Sequence, residues 1–150
     1  MGSILDNIEL FKLKKINNPK GDIWHGLKKS EPSFIEFGEA YFSFINKNEI
    51  KGRKMHKEAT LNFIVPVGEI KFILHDGKIL NKNLKNYKIF CLGEKNFSRL
   101  TIPPNIWVSF LGLKTKNILL NISSKEHDPQ ESENRCLKDF PFNFSDKFAY

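Results

Sequence analysis

An all-β fold, an antiparallel sandwich or barrel, is what three features of this 150-residue sequence predict. Apolar residues alternate with a period of two along most of the chain, which places one face of each strand against a core. Turn-forming clusters cut the alternating runs at spacings of roughly 8–12 residues, the rhythm of an all-β domain. No segment of helical period occurs before residue 125.

In chain order, Ile8 to Ile16 and Gly21 to Leu27 are expected to be strands, broken by Asn17-Asn18-Pro19-Lys20-Gly21. Glu36 to Asn46 is the next, closed by the polar turn Asn46-Lys47-Asn48-Glu49. Leu61, Phe63 and Val65 share one phase and Ile70, Phe72 and Leu74 another, with Pro66 and Gly68 between them. His75-Asp76-Gly77-Lys78 predicts a two-residue hairpin, because Asp-Gly suits the two positive φ angles of a type I′ turn. Tyr87-Ile89-Cys91, Leu100-Ile102, Ile106-Val108-Phe110 and Ile118-Leu120-Ile122 complete the alternating runs. Gly93 to Asn96, Pro103-Pro104-Asn105 and Lys114 to Asn117 are the turns between them. Beyond Ser123 the chain turns polar and acidic, then carries Phe140, Phe142, Phe144, Phe148 and Tyr150. So many rings predict a C-terminal extension, residues 125–150, that packs on the barrel or on a neighbouring subunit. The whole chain, 1–150, reads as a single domain with its core at about 5–124.

Hydrophobic residues make up 40% of the chain and charged residues 27%, a globular composition that excludes a disordered chain. Fourteen phenylalanines against two methionines predict a core built on rings. The net charge of +7 favours an anionic partner. Cys91 and Cys136 fit reduced thiols rather than a disulfide scaffold. The N-terminus, with Asp6 and Glu9, lacks the pattern of a signal peptide, and Asp6 stands where a myristoylation site wants Ser or Thr. Leu100 to Leu113 is the longest uncharged run, and Pro103 and Pro104 break it, so membrane insertion is not expected. A soluble, cytoplasmic protein is the expectation.

Gly-rich phosphate loops, His-Glu-x-x-His, Cys-x-x-Cys pairs, a nucleophile elbow and the ribonucleoprotein signature are all missing. Nucleic-acid binding therefore has only the net charge behind it. The densest chemical signal is Lys51-Gly52-Arg53-Lys54-Met55-His56-Lys57. Strand alternation aims Lys54 and His56 to one face and Arg53 and Lys57 to the other. An imidazole beside an ammonium on a concave face suits either a phosphate or a developing enolate, whereas lysines in a loop are more often simply solvated. Asn62 and Asn121 interrupt apolar strands with amides that need partners when buried: a sugar hydroxyl, a core water or backbone. Trp107 fits a stacking platform or the aromatic core. Tyr41 is the best phenol for a proton donor, with ordinary strand packing as the plainer reading. His25, His75 and His127 lie near turns and read as surface histidines.

The series Asn18-Pro19-Lys20-Gly21-Asp22, Phe37 to Ser43, Lys51-Gly52 with His56, Pro66 to Phe72, Ile102 to Trp107 and His127-Asp128-Pro129 resembles the dTDP-4-dehydrorhamnose 3,5-epimerase-like cupins. The Lys-Gly-x-x-x-His-Lys-Glu and Ile-Pro-Pro-x-Ile-Trp pieces are also similar to the related sugar 3,4-ketoisomerases. The resemblance spans roughly residues 5 to 145 and implies a double-stranded β-helix, the cupin jelly-roll barrel, with a short C-terminal extension. It further implies a homodimer, with N-terminal strands reaching the partner. The implied substrate is a nucleoside-diphosphate 4-keto-6-deoxysugar seated in the barrel mouth, epimerised or isomerised in surface-polysaccharide synthesis.

On that pattern a histidine removes the proton next to the ketone, a tyrosine returns one, and basic residues hold the diphosphate. No cofactor is implied. His56, Lys54 and Tyr41 are the catalytic candidates; Lys51, Arg53, Asn62, Trp107 and Asn121 are the substrate-binding ones. Lys54 stands at the family's catalytic histidine, and His56 matches the second histidine of a His-x-His pair. The epimerase's lysine falls on Leu61 and its tyrosine near Leu120 or Asn121, none of which serves as a general acid. Two readings stay open: His56 works alone or with Lys54, or the pair is lost and the chain is a non-catalytic cupin binding a sugar nucleotide or a partner protein. The metal-cupin ligand set is not met, because Glu58 comes too early and Trp107 stands near the place of the last ligand, so no metal is expected.

Overall fold

The computed structural model describes residues 2–78 and 86–137. Its strands are β1 (Glu9–Lys12), β2 (Lys15–Ile16), β3 (Ile23–Trp24), β4 (Glu39–Asn46), β5 (Ile50–His56) and β6 (Leu61–Val67). They continue with β7 (Glu69–His75), β8 (Tyr87–Gly93), β9 (Ser98–Ile102), β10 (Trp107–Gly112), β11 (Lys116–Ser123) and β12 (Ser132–Asn134). A 3₁₀ turn at Ile4–Asn7 precedes them, closed by a capping box in which Ser3 and Asp6 each accept from the other's end of the turn.

Two five-stranded antiparallel sheets form, in the orders β1-β9-β6-β11-β4 and β12-β5-β10-β7-β8, with β2 and β3 as a separate ribbon. From β4 onward, apart from the adjacent β7 and β8, successive strands alternate between the two sheets, the winding of a jelly roll. Period-two alternation sends Leu61, Phe63, Val65, Leu100 and Ile102 inward from the first sheet to meet Ile70, Phe72, Leu74 and Val108 of the second. Phe72 lies at the centre, its ring 5.4 Å from that of Phe63 and 5.7 Å from that of Phe110. Burying such a ring stabilises the fold by about 3 kcal/mol.

The expected architecture is therefore present, with local corrections. The run expected as one strand from Ile8 to Ile16 divides: β1 joins β9 in the first sheet, and β2 turns away to pair with β3. The expected hairpin at Asp76-Gly77 is not a two-residue turn. Gly77 has φ of +86°, but Asp76 is outside the left-handed region, so a type I′ turn is excluded, and β8 resumes only at Tyr87, opposite His75. His75, expected at the surface, is buried. In the extension, Ser132–Asn134 adds an edge strand to β5 that polar composition did not announce. The rings from Phe140 to Tyr150 lie outside the described residues.

Candidate active site

The basic cluster owes its arrangement to a bulge in β5. Against β10, Lys51 pairs with Phe110, Gly52 with Ser109, and Lys54 with Val108, which leaves Arg53 as the extra residue. Directly paired residues of antiparallel strands share a face, and Phe110 and Val108 face the core. Lys51, Lys54 and His56 therefore all face the barrel interior; without the extra residue, Lys51 and Lys54 would face opposite ways. Gly52 permits the bend. Its φ is +108°, and a Cβ there would lie 2.5 Å from the Val108 carbonyl oxygen.

The edge strand β12 completes the next piece. Ser132 pairs with His56, so Glu131 arrives beside the imidazole. His56 Nδ1 lies 2.8 Å from Glu131 Oε2, while Glu131 Oε1 accepts from the backbone N–H of Ala59 at 2.9 Å and, more weakly, of Glu58 at 3.3 Å. Burial pushes the Glu131 carboxyl up, but the hydrogen bonds from His56, Ala59 and Glu58 together outweigh it and hold it below its ordinary value. The carboxylate is thus ionised and can only accept, so Nδ1 carries a proton, and in the neutral imidazole this leaves the lone pair on Nε2. That is the tautomer a general base needs.

Opposite His56, β4 and β11 pair Tyr41 with Asn121. Asn121 Nδ2 donates to Tyr41 Oη at 2.7 Å, so the phenol's own hydrogen is free to point elsewhere. Burial, together with the nearby Glu39 charge, raises the Tyr41 pKa despite the opposing Asn121 hydrogen bond, and the phenol stays protonated at neutral pH. The buried Asn121 Oδ1 has no hydrogen-bond partner among the described residues. Tyr41, Lys54, His56 and Asn121 line a cavity of about 310 Å³ whose apolar wall is Leu61, Phe63, Val108, Phe110 and Leu119. That volume is at the lower end of the range of small-molecule sites.

Of the other candidates, Lys51 lies in the cavity wall but its Nζ donates to Ser43 Oγ at 2.9 Å and the Phe44 carbonyl at 2.6 Å. Arg53 touches the wall, but its side chain is buried and donates to the Cys136 carbonyl at 2.7 Å, near His75 and Tyr87. Asn62 faces away from the cavity. Its Nδ2 donates to the Ser33 carbonyl at 3.0 Å and its Oδ1 accepts from Thr101 Oγ1 at 2.6 Å, so both ends of the amide are satisfied within the fold. Trp107 also faces outward, stacked 6.1 Å from His75, with the Arg135 guanidinium 4.1 Å over its ring. Sequence reasoning missed Glu131. Only its place in the acidic run after Lys125 hinted at it, since strand pairing alone brings it to His56. No group of three or more His, Cys, Asp or Glu among the described residues is placed to hold a metal.

A jelly roll whose cavity holds a carboxylate-backed histidine, a phenol and an ammonium is a cupin barrel with titratable groups gathered at one cavity. The chain belongs to the family described as FdtA, WxcM-like, C-terminal, whose pattern it matches over residues 6–140. It is similar to the dTDP sugar isomerase of Desulfovibrio desulfuricans, with 30% identity, a TM-score of 0.85, and coverage of 94% of this chain and 92% of that one. The 3,4-ketoisomerase QdtA from Thermoanaerobacterium thermosaccharolyticum, in complex with TDP, shares the fold at a TM-score of 0.71 and 23% identity, over 86% of this chain and 88% of that one. So does RmlC, the dTDP-6-deoxy-D-glucose-3,5-epimerase of Legionella pneumophila, at a TM-score of 0.76 and 16% identity, over 89% and 75% of the two chains. No curated protein sequence matches the chain. No helix of the described residues is long and apolar enough to cross a membrane.

Proposed function

We propose that this chain is a nucleotide-sugar 3,4-ketoisomerase acting on a nucleoside-diphosphate 4-keto-6-deoxyhexose. The observation that carries the reading is the His56–Glu131 couple at the cavity, with the protonated Tyr41 across from it. The ketone at C4 acidifies the C3–H bond, and His56 Nε2 takes that proton. The C–H electron pair becomes a C3=C4 double bond as the carbonyl pair moves onto O4, giving an enediolate. Return of a proton to C4, loss of the proton on O3 and protonation of O4 yield the 3-keto sugar, an isomer with no atom gained or lost. Tyr41 serves as the donor at oxygen, its own oxygen steadied by Asn121. The apolar wall suits the C6 methyl of a deoxysugar, because it offers nothing to pair with a hydroxyl there. The similarity to a dTDP sugar isomerase at 30% identity supports an isomerisation of a dTDP sugar.

The chain also fits a homodimer. Strand β4 turns polar residues inward, and Phe42 and Phe44, 64% and 58% exposed, stand on its outer face. Ile35 and Phe37 are exposed as well, and an outer face this apolar suits a second copy of the chain.

The test is incubation of the protein with TDP-4-keto-6-deoxyglucose in deuterated water, followed by NMR. A ketone moved to C3, with deuterium entering at C4, is the expected result. Deuterium at C3 and C5 with the ketone still at C4 would make the chain an epimerase. Absence of exchange alongside tight TDP binding would make it a non-catalytic cupin.

A further inference from the structure

The cluster from Lys51 to Lys57 holds four fixed positive charges, and the fold engages three of them. Lys51 is tied to Ser43 and the Phe44 carbonyl at 2.9 and 2.6 Å, Arg53 to the Cys136 carbonyl at 2.7 Å, and Lys57 lies 3.7 Å from Glu133. The Lys54 ammonium makes no hydrogen bond or ion pair among the described residues, and the side chain is half-buried in the wall of the cavity that holds His56.

We propose that Lys54 is the electrophile of the reaction, its ammonium placed to receive the negative charge that develops on the ketone oxygen as His56 takes the neighbouring carbon-bound proton. This rests on the ketoisomerase reading above. Three features argue for the oxyanion rather than a phosphate. Lys54 and His56 are two residues apart on the regular part of β5, so their Cβ atoms leave the same face about 7 Å apart. A four-carbon stem lets the ammonium reach the oxygen on the carbon next to the one His56 attacks. The cavity around them is small and walled by five apolar side chains, so the doubly charged diphosphate belongs outside at the mouth. In such a low-dielectric wall a compact cation stabilises an enediolate far more than it would in water. Lys54 keeps its three protons throughout: it donates a hydrogen bond to O4 and forms no bond to carbon, so the balance of the isomerisation is unchanged.

The experiment compares wild type with Lys54→Met and Lys54→Arg on TDP-4-keto-6-deoxyglucose, following deuterium wash-in, kcat and KM, with TDP binding and thermal melting measured alongside. Lys54→Met is expected to lower kcat and wash-in together by about 10²- to 10³-fold. TDP affinity should stay within about threefold, as for a residue that acts at the reacting sugar. Lys54→Arg, which keeps the charge, should recover part of the rate. Wild-type kcat in a folded Lys54→Met protein overturns the proposal, and so does a loss of TDP affinity that matches the loss of kcat/KM, which would make Lys54 a phosphate ligand. A borohydride-trapped covalent adduct on Lys54 overturns it too, since it would show an imine. If wild type neither exchanges nor isomerises the probe, the ketoisomerase reading falls, and this role with it. If wild type turns over and the Lys54 variants do so equally, only the present inference falls.

Discussion

His75 shows how burial decides what a titratable residue can do. Its ring is stacked on Trp107, and its Nδ1 accepts from the Gly77 N–H at 3.1 Å, so the neutral ring carries its proton on Nε2. Burial first, and then the Arg53 and Arg135 charges, push its pKa down from 6.5 to about 3. The unfolded chain binds that proton more readily, so the contribution to stability is complete above pH 6.5 and is lost as the pH falls toward 3. Between pH 6.5 and 5 the loss is at most about 2 kcal/mol. Urea midpoints at pH 7 and pH 5 should therefore separate more in wild type than in His75→Gln; equal separations would refute this origin for the acid sensitivity.

At the scale of elements, period-two alternation was enough to read most strands, because a half-buried strand needs little more than one apolar face. The faces of Lys54 and His56 were legible for the same reason. The inward turn of Lys51 was not, since it depends on the extra residue at Arg53, and a bulge leaves no mark in an alternation count. Asp76-Gly77 misled because a dipeptide reports φ preferences, while the partner strand decides where the ladder resumes. Asn62 and Asn121 look alike in sequence, each an amide within an apolar run. Register separates them: Asn121 faces the cavity with Tyr41, whereas Asn62 faces outward to Ser33 and Thr101. Glu131 was illegible because its place beside His56 comes from a three-residue edge strand, too short to carry a pattern.

For the whole molecule, two groups of phenylalanine among the described residues stand in opposite settings. Phe63, Phe72 and Phe110 pack together inside, while Phe37, Phe42 and Phe44 stand 65%, 64% and 58% exposed outside. If the outer group meets a second copy, wild type should sediment as a dimer at about 10 μM, and Phe42→Glu with Phe44→Glu should give a folded monomer. A monomeric wild type at that concentration would contradict the homodimer. β12 returns along β5 and brings the buried Glu131 carboxylate to His56, and in the proposed reaction that carboxylate sets His56 up as a base. The most direct test of that role is the initial rate of deuterium wash-in on TDP-4-keto-6-deoxyglucose by Glu131→Gln, with TDP binding as the control. The rate should fall by about 10²-fold or more while TDP binds as before; exchange at the wild-type rate would contradict it.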